Sequence, residues 1–217
     1  MASTIPAGRA RHVNHLILRA TFWFSLLGLF GLVVLWAMPL GSTAGGAAGL
    51  VYGVSLLLCS LCSYLYHTRE ASPRRWLLRY CDHGAIFLLI AGTYTPFVIH
   101  GVEGPFGLDL LFWVWSLAVL GIVLKLVLRG RHDRAFVALY LALGWLFLFA
   151  VDQFIDLNPL PSLIFLAIGG LAYTVGALIY GRDIGNWTDP VWHGCVLAGS
   201  GTHFVAVLLL TVQPAMV

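Results

Sequence analysis

The chain has 217 residues, of which 60% are hydrophobic and only 10% are charged. This composition, with a mean hydropathy of +0.91, excludes an ordinary soluble domain and indicates an integral membrane protein. The net charge of +3 comes from basic residues spread over short loops, so we expect membrane lipid and no nucleic acid as a partner.

Seven apolar stretches follow one another, each near the length of about 20 residues that a membrane helix needs. We expect spans at 17–38, 45–67, 82–101, 107–129, 135–151, 160–181 and 190–212, of which the fifth is short. The stretches lack the alternation of polar and apolar residues that strands of a membrane barrel would have. The sequence therefore predicts an all-α fold, a seven-transmembrane helix bundle over residues 17–217 after a cytoplasmic segment of residues 1–16.

The charges are divided unequally between the two sides of these spans. All twelve Lys and Arg residues fall on one side, before or within the first span and after the second, fourth and sixth. The opposite loops carry only the acids Glu103, Asp109, Asp152 and Asp156. Because cytoplasmic loops carry the excess of basic residues, the N-terminus is expected in the cytoplasm and the C-terminus outside.

Three polar side chains, His12, Asn14 and His15, stand just before the first span. The favoured interpretation is that they anchor the chain at the membrane interface. The alternative is that Asn14 or His15 folds under the bundle and forms a wall of a site on its cytoplasmic side.

Polar and ionisable residues cluster at the cytoplasmic ends of the second, third and seventh spans. Ser63 and His67 are four residues apart, as are Asp189 and His193, so each pair shares one helix face. Asp82 opens the third span. Polar groups at the edge of hydrocarbon are costly, and their agreement in level across three spans indicates a functional site. Singly, Ser63 could bond its own helix and Asp82 could cap one.

Two imidazoles with one or two carboxylates form a donor set suited to zinc. A zinc ion would lower the pKa of a bound water and polarise a carbonyl. A nearby carboxylate could then act as the base, and a hydroxyl such as that of Ser63 could stabilise an oxyanion.

Three segments carry a resemblance to a known family: the Ser63–His67 segment S-x-x-x-H, the Asp82–Phe97 segment D-H-x-x-I-x-L-L-I-A-G-T-Y-T-P-F, and the segment H-x-x-V-L-A-G-S-x-x-H-F from His193. Together they resemble the hemolysin III family, which is related to the progestin and adipoQ receptors and, more remotely, to alkaline ceramidases. The resemblance covers roughly Asn14 to Val207.

The resemblance implies seven helices with a cytoplasmic N-terminus and a zinc ion held near the cytoplasmic face. It assigns the metal ligands to His67, Asp189 and His193, and the candidate catalytic pair to Ser63 and Asp82. The chain departs from the family pattern in three places. It has D-x-x-x-H where the family has H-x-x-x-H, Arg11 and His12 where an acid usually precedes the Asn, and Leu18 where a motif His usually stands.

The first functional hypothesis is a zinc-dependent hydrolase that acts on a lipid amide or ester from the cytoplasmic leaflet. We expect a multi-pass protein of the bacterial inner (plasma) membrane. A receptor-like or regulatory protein with a structural metal is the second hypothesis, and a hemolysin-type lytic protein is the third. Two roles also stay open for Asp189, since the Pro190 that follows it is typical of the start of a helix and would make Asp189 a cap.

Overall fold

The computed structural model describes residues 7–38, 43–101, 104–129 and 132–212. Within these ranges the chain forms eight α-helices and no strand. They are α1 (Ala7–Ala37), α2 (Thr43–Thr68), α3 (Arg75–Gly101), α4 (Gly104–Val127), α5 (Asp133–Gly144), α6 (Val151–Leu157), α7 (Leu160–Arg182) and α8 (Thr188–Thr211). A 3₁₀ helix, Leu146–Ala150, joins α5 to α6, and another, Gly185–Trp187, precedes α8.

Six of the described helices are long and apolar enough to cross a membrane, namely α1 to α4, α7 and α8. The fold is therefore that of an all-helical integral membrane protein, as predicted. The predicted fifth span, 135–151, falls instead on the interrupted segment made by α5, the 3₁₀ helix and α6. None of these three pieces is long enough alone to span the hydrocarbon.

Two helices begin well before their predicted spans. α1 begins at Ala7 and not at 17, so the described part of the N-terminal segment continues the first span without a break. α3 begins at Arg75 and not at 82, which places Asp82 about two turns inside the helix. The cap interpretation of Asp82 is therefore wrong. Hydropathy marks where lipid begins, whereas backbone hydrogen bonding carries a helix past that boundary.

The centre of the bundle is α3, which packs against α2, α4, α5, α6 and α8. Phe87 and Phe97 on this helix are at most 1% exposed. The ring of Phe87 lies against Gly121 of α4, where a β-carbon would collide with it. Small residues that let helices approach closely are typical of packing in lipid, where helix association depends on such contacts.

The break between α5 and α6 is held by one hydroxyl of α3. The Tyr94 hydroxyl accepts from the backbone N–H of Phe147 at 2.9 Å. It donates its one proton toward two carbonyl oxygens, that of Leu143 at 3.0 Å and that of Gly144 at 3.1 Å. Backbone groups freed inside a membrane protein need such partners, because lipid supplies none.

Candidate functional site

A cavity of about 240 Å³ lies among the ends of α2, α3 and α8 that carry the predicted site residues. All five candidates line it: Ser63, His67, Asp82, Asp189 and His193. The i, i+4 spacing on α2 and on α8 turns both members of each pair toward the same space. The structure therefore brings together every residue that the sequence singled out for the site.

Direct contacts join four of these side chains. The rings of His67 and His193 meet edge to face with centroids 4.6 Å apart. His67 Nε2 is 4.0 Å from a carboxylate oxygen of Asp82, and Ser63 Oγ is 3.4 Å from His193 Nε2. Asp82 is 8% exposed and His193 5% exposed, so the cluster is shielded from bulk water.

Asp189 is not the cap of the last helix. α8 begins at Thr188, so Asp189 is its second residue, and the capping position belongs to Trp187, which makes no side-chain cap bond. The 3₁₀ helix Gly185–Trp187 moves the helix start upstream of the Asp-Pro pair. Asp189 is half-buried and lines the cavity, so its carboxylate is available to the site as well as to the positive end of α8.

The preferred interpretation of the N-terminal residues as an interfacial anchor is wrong for Asn14, which is only 6% exposed. Its side-chain oxygen lies 2.7 Å from Nδ1 of His193. The neighbouring His15 places Nε2 3.2 Å from the backbone oxygen of His67. The alternative, in which this segment forms a wall of the site, is the one the structure supports.

A second polar cluster lies in the same cavity, and the sequence analysis did not identify it. We call Arg79, His83, Lys125 and Asp133 the Asp133 cluster. Lys125 Nζ is 2.6 Å from one carboxylate oxygen of Asp133, and Arg79 is 2.5 Å from the other. Lys125 is only 2% exposed and lies over the ring of Phe136. A lysine inside an apolar run was the signal that could have identified the cluster.

The charges in the Asp133 cluster act on Asp133, which precedes the predicted fifth span. Burial by itself would raise the pKa of this carboxyl. The hydrogen bond and charge of Lys125, together with Arg79, outweigh burial and hold the pKa of Asp133 below its ordinary value. His83 lies near the same carboxylate, with Nδ1 3.9 Å from it. That ring nitrogen is buried and has no hydrogen-bond partner among the described residues.

Two further spaces adjoin the cavity. A polar depression of about 580 Å³ shares His67, Asp133 and Asp189 with it and carries the exposed Arg11–Glu70 pair on its rim. An apolar cavity of about 120 Å³ shares Ile86, Leu89, Tyr140 and Trp192 with it and lies farther along α3. The site is thus bordered by a polar opening on one side and by an apolar space on the other.

The donor types fit zinc, although a complete ligand set is not assembled. Among the described residues, no three His, Cys, Asp or Glu side chains form a group that could hold a metal. The pair of His67 and His193 comes nearest, with the carboxylates of Asp82 and Asp189 on the same cavity wall. His193 has its second ring nitrogen on an oxygen acceptor, as metal-binding histidines usually do.

The chain is similar to known proteins over most of its length. The profile of the family described as "Haemolysin-III related" matches residues 9–204. The chain is 34% identical to Hemolysin-3 of Bacillus cereus over 85% of its length and 84% of that protein. It is 36% identical to the Hemolysin-3 homolog of Bacillus subtilis (strain 168), over 83% and 85% of the two chains. The human monocyte to macrophage differentiation factor is 24% identical, over 72% and 67%. No solved structure matches significantly.

Proposed function

Because the chain belongs to the haemolysin-III-related family of integral membrane proteins, we propose that it is a zinc-dependent hydrolase of a lipid amide or ester. The observation that carries the proposal is the convergence of Ser63, His67, Asp82, Asp189 and His193 on one buried cavity. Structural polar residues in a membrane helix would each be satisfied locally. A shared cavity of about 240 Å³ bordered by all five suits a reaction.

The chemistry assigns a distinct role to each side chain. His67, His193 and the carboxylate of Asp189 would hold zinc, which supplies a Lewis acid for the scissile carbonyl and for water. The buried Asp82 carboxylate takes a proton from the attacking water and passes it to the leaving amine or alcohol. The Ser63 hydroxyl donates a hydrogen bond to the carbonyl oxygen as negative charge develops there. Water adds across the C–N or C–O bond, which yields a fatty acid and an amine or alcohol.

The apolar cavity beyond the site supports a substrate with a hydrocarbon tail. Its walls include Phe97, Trp145 and Phe147, and it meets the polar cavity at Ile86 and Leu89. A carbonyl held beside Ser63 would have the polar depression on its head side and this space on its tail side. That arrangement favours a lipid over a water-soluble ester or amide.

We further propose seven crossings, with the N-terminus in the cytoplasm and the C-terminus outside, in a bacterial inner membrane. The twelve basic residues on one side of the predicted spans support the orientation. The interrupted segment made by α5, the 3₁₀ helix and α6 would be the fifth crossing in chain order, and it brings the count to seven. It starts with Asp133 beside Lys125 and Arg79, whereas its Phe154 lies near Tyr94, toward the opposite end of α3.

The test is lipid hydrolysis by purified protein in detergent or vesicles. We expect release of free fatty acid from at least one member of a panel of ceramide-like and ester lipids, together with bound zinc. His67→Ala should abolish the release. His12→Ala is the matched control, because His12 is an exposed histidine of α1 outside the cavity. Release that persists in His67→Ala would refute the assignment of this site.

A second candidate function rests on the name of the Bacillus cereus relative, Hemolysin-3. Dye release from vesicles by the wild type and by His67→Ala alike, without fatty acid release, would favour lysis over hydrolysis. Zinc that is bound without turnover of any lipid or release of dye would favour a receptor-like protein with a structural metal.

A further inference from the structure

The first turns of α1 reach both histidines of the site from outside the helices that carry them. Asn14 and His15 are adjacent in sequence, and they contact His193 of α8 and the backbone of His67 on α2. Of these contacts, the one from Asn14 to His193 is the shorter, and it is buried on both sides. It joins residues 179 positions apart in sequence.

The chemistry of this contact determines which nitrogen of His193 carries a proton. A side-chain amide oxygen has no hydrogen and can only accept. The Nδ1 atom, 2.7 Å from Oδ1 of Asn14, must therefore be the N–H donor. In a neutral imidazole the other nitrogen then has a bare lone pair. That nitrogen, Nε2, is the one that faces Ser63 and the cavity.

The Ser63 hydroxyl does not use up this lone pair. Its oxygen lies 3.4 Å from Nε2, which is longer than the usual hydrogen-bond range that ends at about 3.2 Å. Nε2 is left directed into the cavity with its lone pair available.

We propose that Asn14 is a positioning residue that holds His193 in the Nδ1–H tautomer and so presents Nε2 to the cavity. The tautomer does not depend on any metal, whereas its meaning for catalysis rests on the proposed function. Asn14 can reach His193 because α1 already begins at residue 7, so that Asn14 is part of this helix and lies at the end of α8.

The decisive measurement is nitrogen NMR of metal-free protein labelled with ¹⁵N-histidine, at a pH where the rings are neutral. A His193→Gln variant identifies the His193 signals by their loss. In the wild type, the protonated nitrogen of His193 should be Nδ1 and the bare one Nε2. Asn14→Asp keeps an acceptor oxygen and should preserve this pattern, whereas Asn14→Leu should give a mixture of tautomers. Thr21→Val, which removes a buried hydroxyl bonded to its own helix, should leave the pattern unchanged.

A proton on Nε2 in the wild type, or an unaltered spectrum in Asn14→Leu, would overturn the proposal. The wild-type spectrum alone decides the first of these outcomes, so the test survives a failure of Asn14→Leu to fold. A second arm titrates Zn²⁺ into each variant. We expect binding about 10- to 100-fold weaker in Asn14→Leu, with recovery in Asn14→Asp. Wild-type protein that binds no zinc would refute the proposed hydrolase and leave the tautomer result standing.

Discussion

Apart from the candidate site residues, Asp133 should be the carboxylate whose neutralisation lowers the free energy of unfolding most. Asp133→Asn removes the partner of Lys125, whose ammonium group is buried at 2% exposure and lies 2.6 Å from the carboxylate. Breaking a fully buried ion pair costs about 3–5 kcal/mol, because a buried charge loses its compensation. The Asp133 side chain is 32% exposed, so solvent screens part of the ion-pair interaction. We therefore expect Asp133→Asn to lower the free energy of unfolding by about 2 kcal/mol.

Thermal unfolding in detergent measures this cost. For a chain of this length, about 2 kcal/mol corresponds to a fall in Tm of about 4–8 °C. Asp109→Asn, an exposed acid on α4, is the matched control and should change Tm by less than about 2 °C. Adding Lys125→Met to Asp133→Asn should recover part of the loss, since no buried cation then remains without its partner.

The pH dependence follows from the depressed pKa of Asp133. A carboxyl whose pKa is lower when folded than when unfolded stabilises the protein above its unfolded pKa of about 3.9. That contribution is lost as the pH falls through the lower, folded pKa. The Tm difference between wild type and Asp133→Asn should therefore be steady from neutral pH down to about 5 and shrink below about 4. Equal Tm values at pH 7 would refute the reasoning, as would a difference that stays the same at pH 3.

Three further outcomes are expected. Tyr94→Phe leaves the N–H of Phe147 and a nearby carbonyl without their partner, so it should destabilise the protein by about 1–3 kcal/mol. An unchanged Tm would show that the hydroxyl is dispensable. If Asp189 is a zinc ligand, Asp189→Ser should lose zinc and Asp189→His should keep or raise it, as measured by elemental analysis; full zinc in Asp189→Ser would remove it from the ligand set. A reporter after Val217, which lies outside the described residues, should be active only outside the cytoplasm, and cytoplasmic activity would contradict the proposed orientation.

The sequence could predict the site because its information there was local. Spacing of four residues places Ser63 with His67, and Asp189 with His193, on the basis of helix geometry alone. Charge bias and span order then brought three helix ends to one level. The structure agrees with the resulting grouping, since all five residues line one cavity.

The features that sequence reasoning missed are those that depend on pairing between distant residues. Lys125 lies in an apolar run and Asp133 after it, and only the packing of α4 against α5 shows that they pair. Asn14 meets a partner 179 residues away, and no local pattern specifies that contact. The sequence predicts the fifth span as one apolar run. The structure breaks this run, and the break depends on Tyr94 of another helix, whose hydroxyl accepts a hydrogen bond from the N–H of Phe147. Hydropathy records exposure to lipid and carries no information about such partners.

The unbroken length of α1 links the site to the bilayer itself. Its 31 residues extend about 46 Å at 1.5 Å per residue, which exceeds the hydrocarbon thickness of about 30 Å. The apolar part of α1 begins near residue 17 and is close to that thickness, and an apolar stretch that exceeds the hydrocarbon of a thinner membrane can tilt to stay within it. Asn14 belongs to the same continuous helix, so a tilt of α1 relative to α8 would move Asn14 relative to His193. We therefore expect the geometry of the site to respond to the thickness of the surrounding lipid.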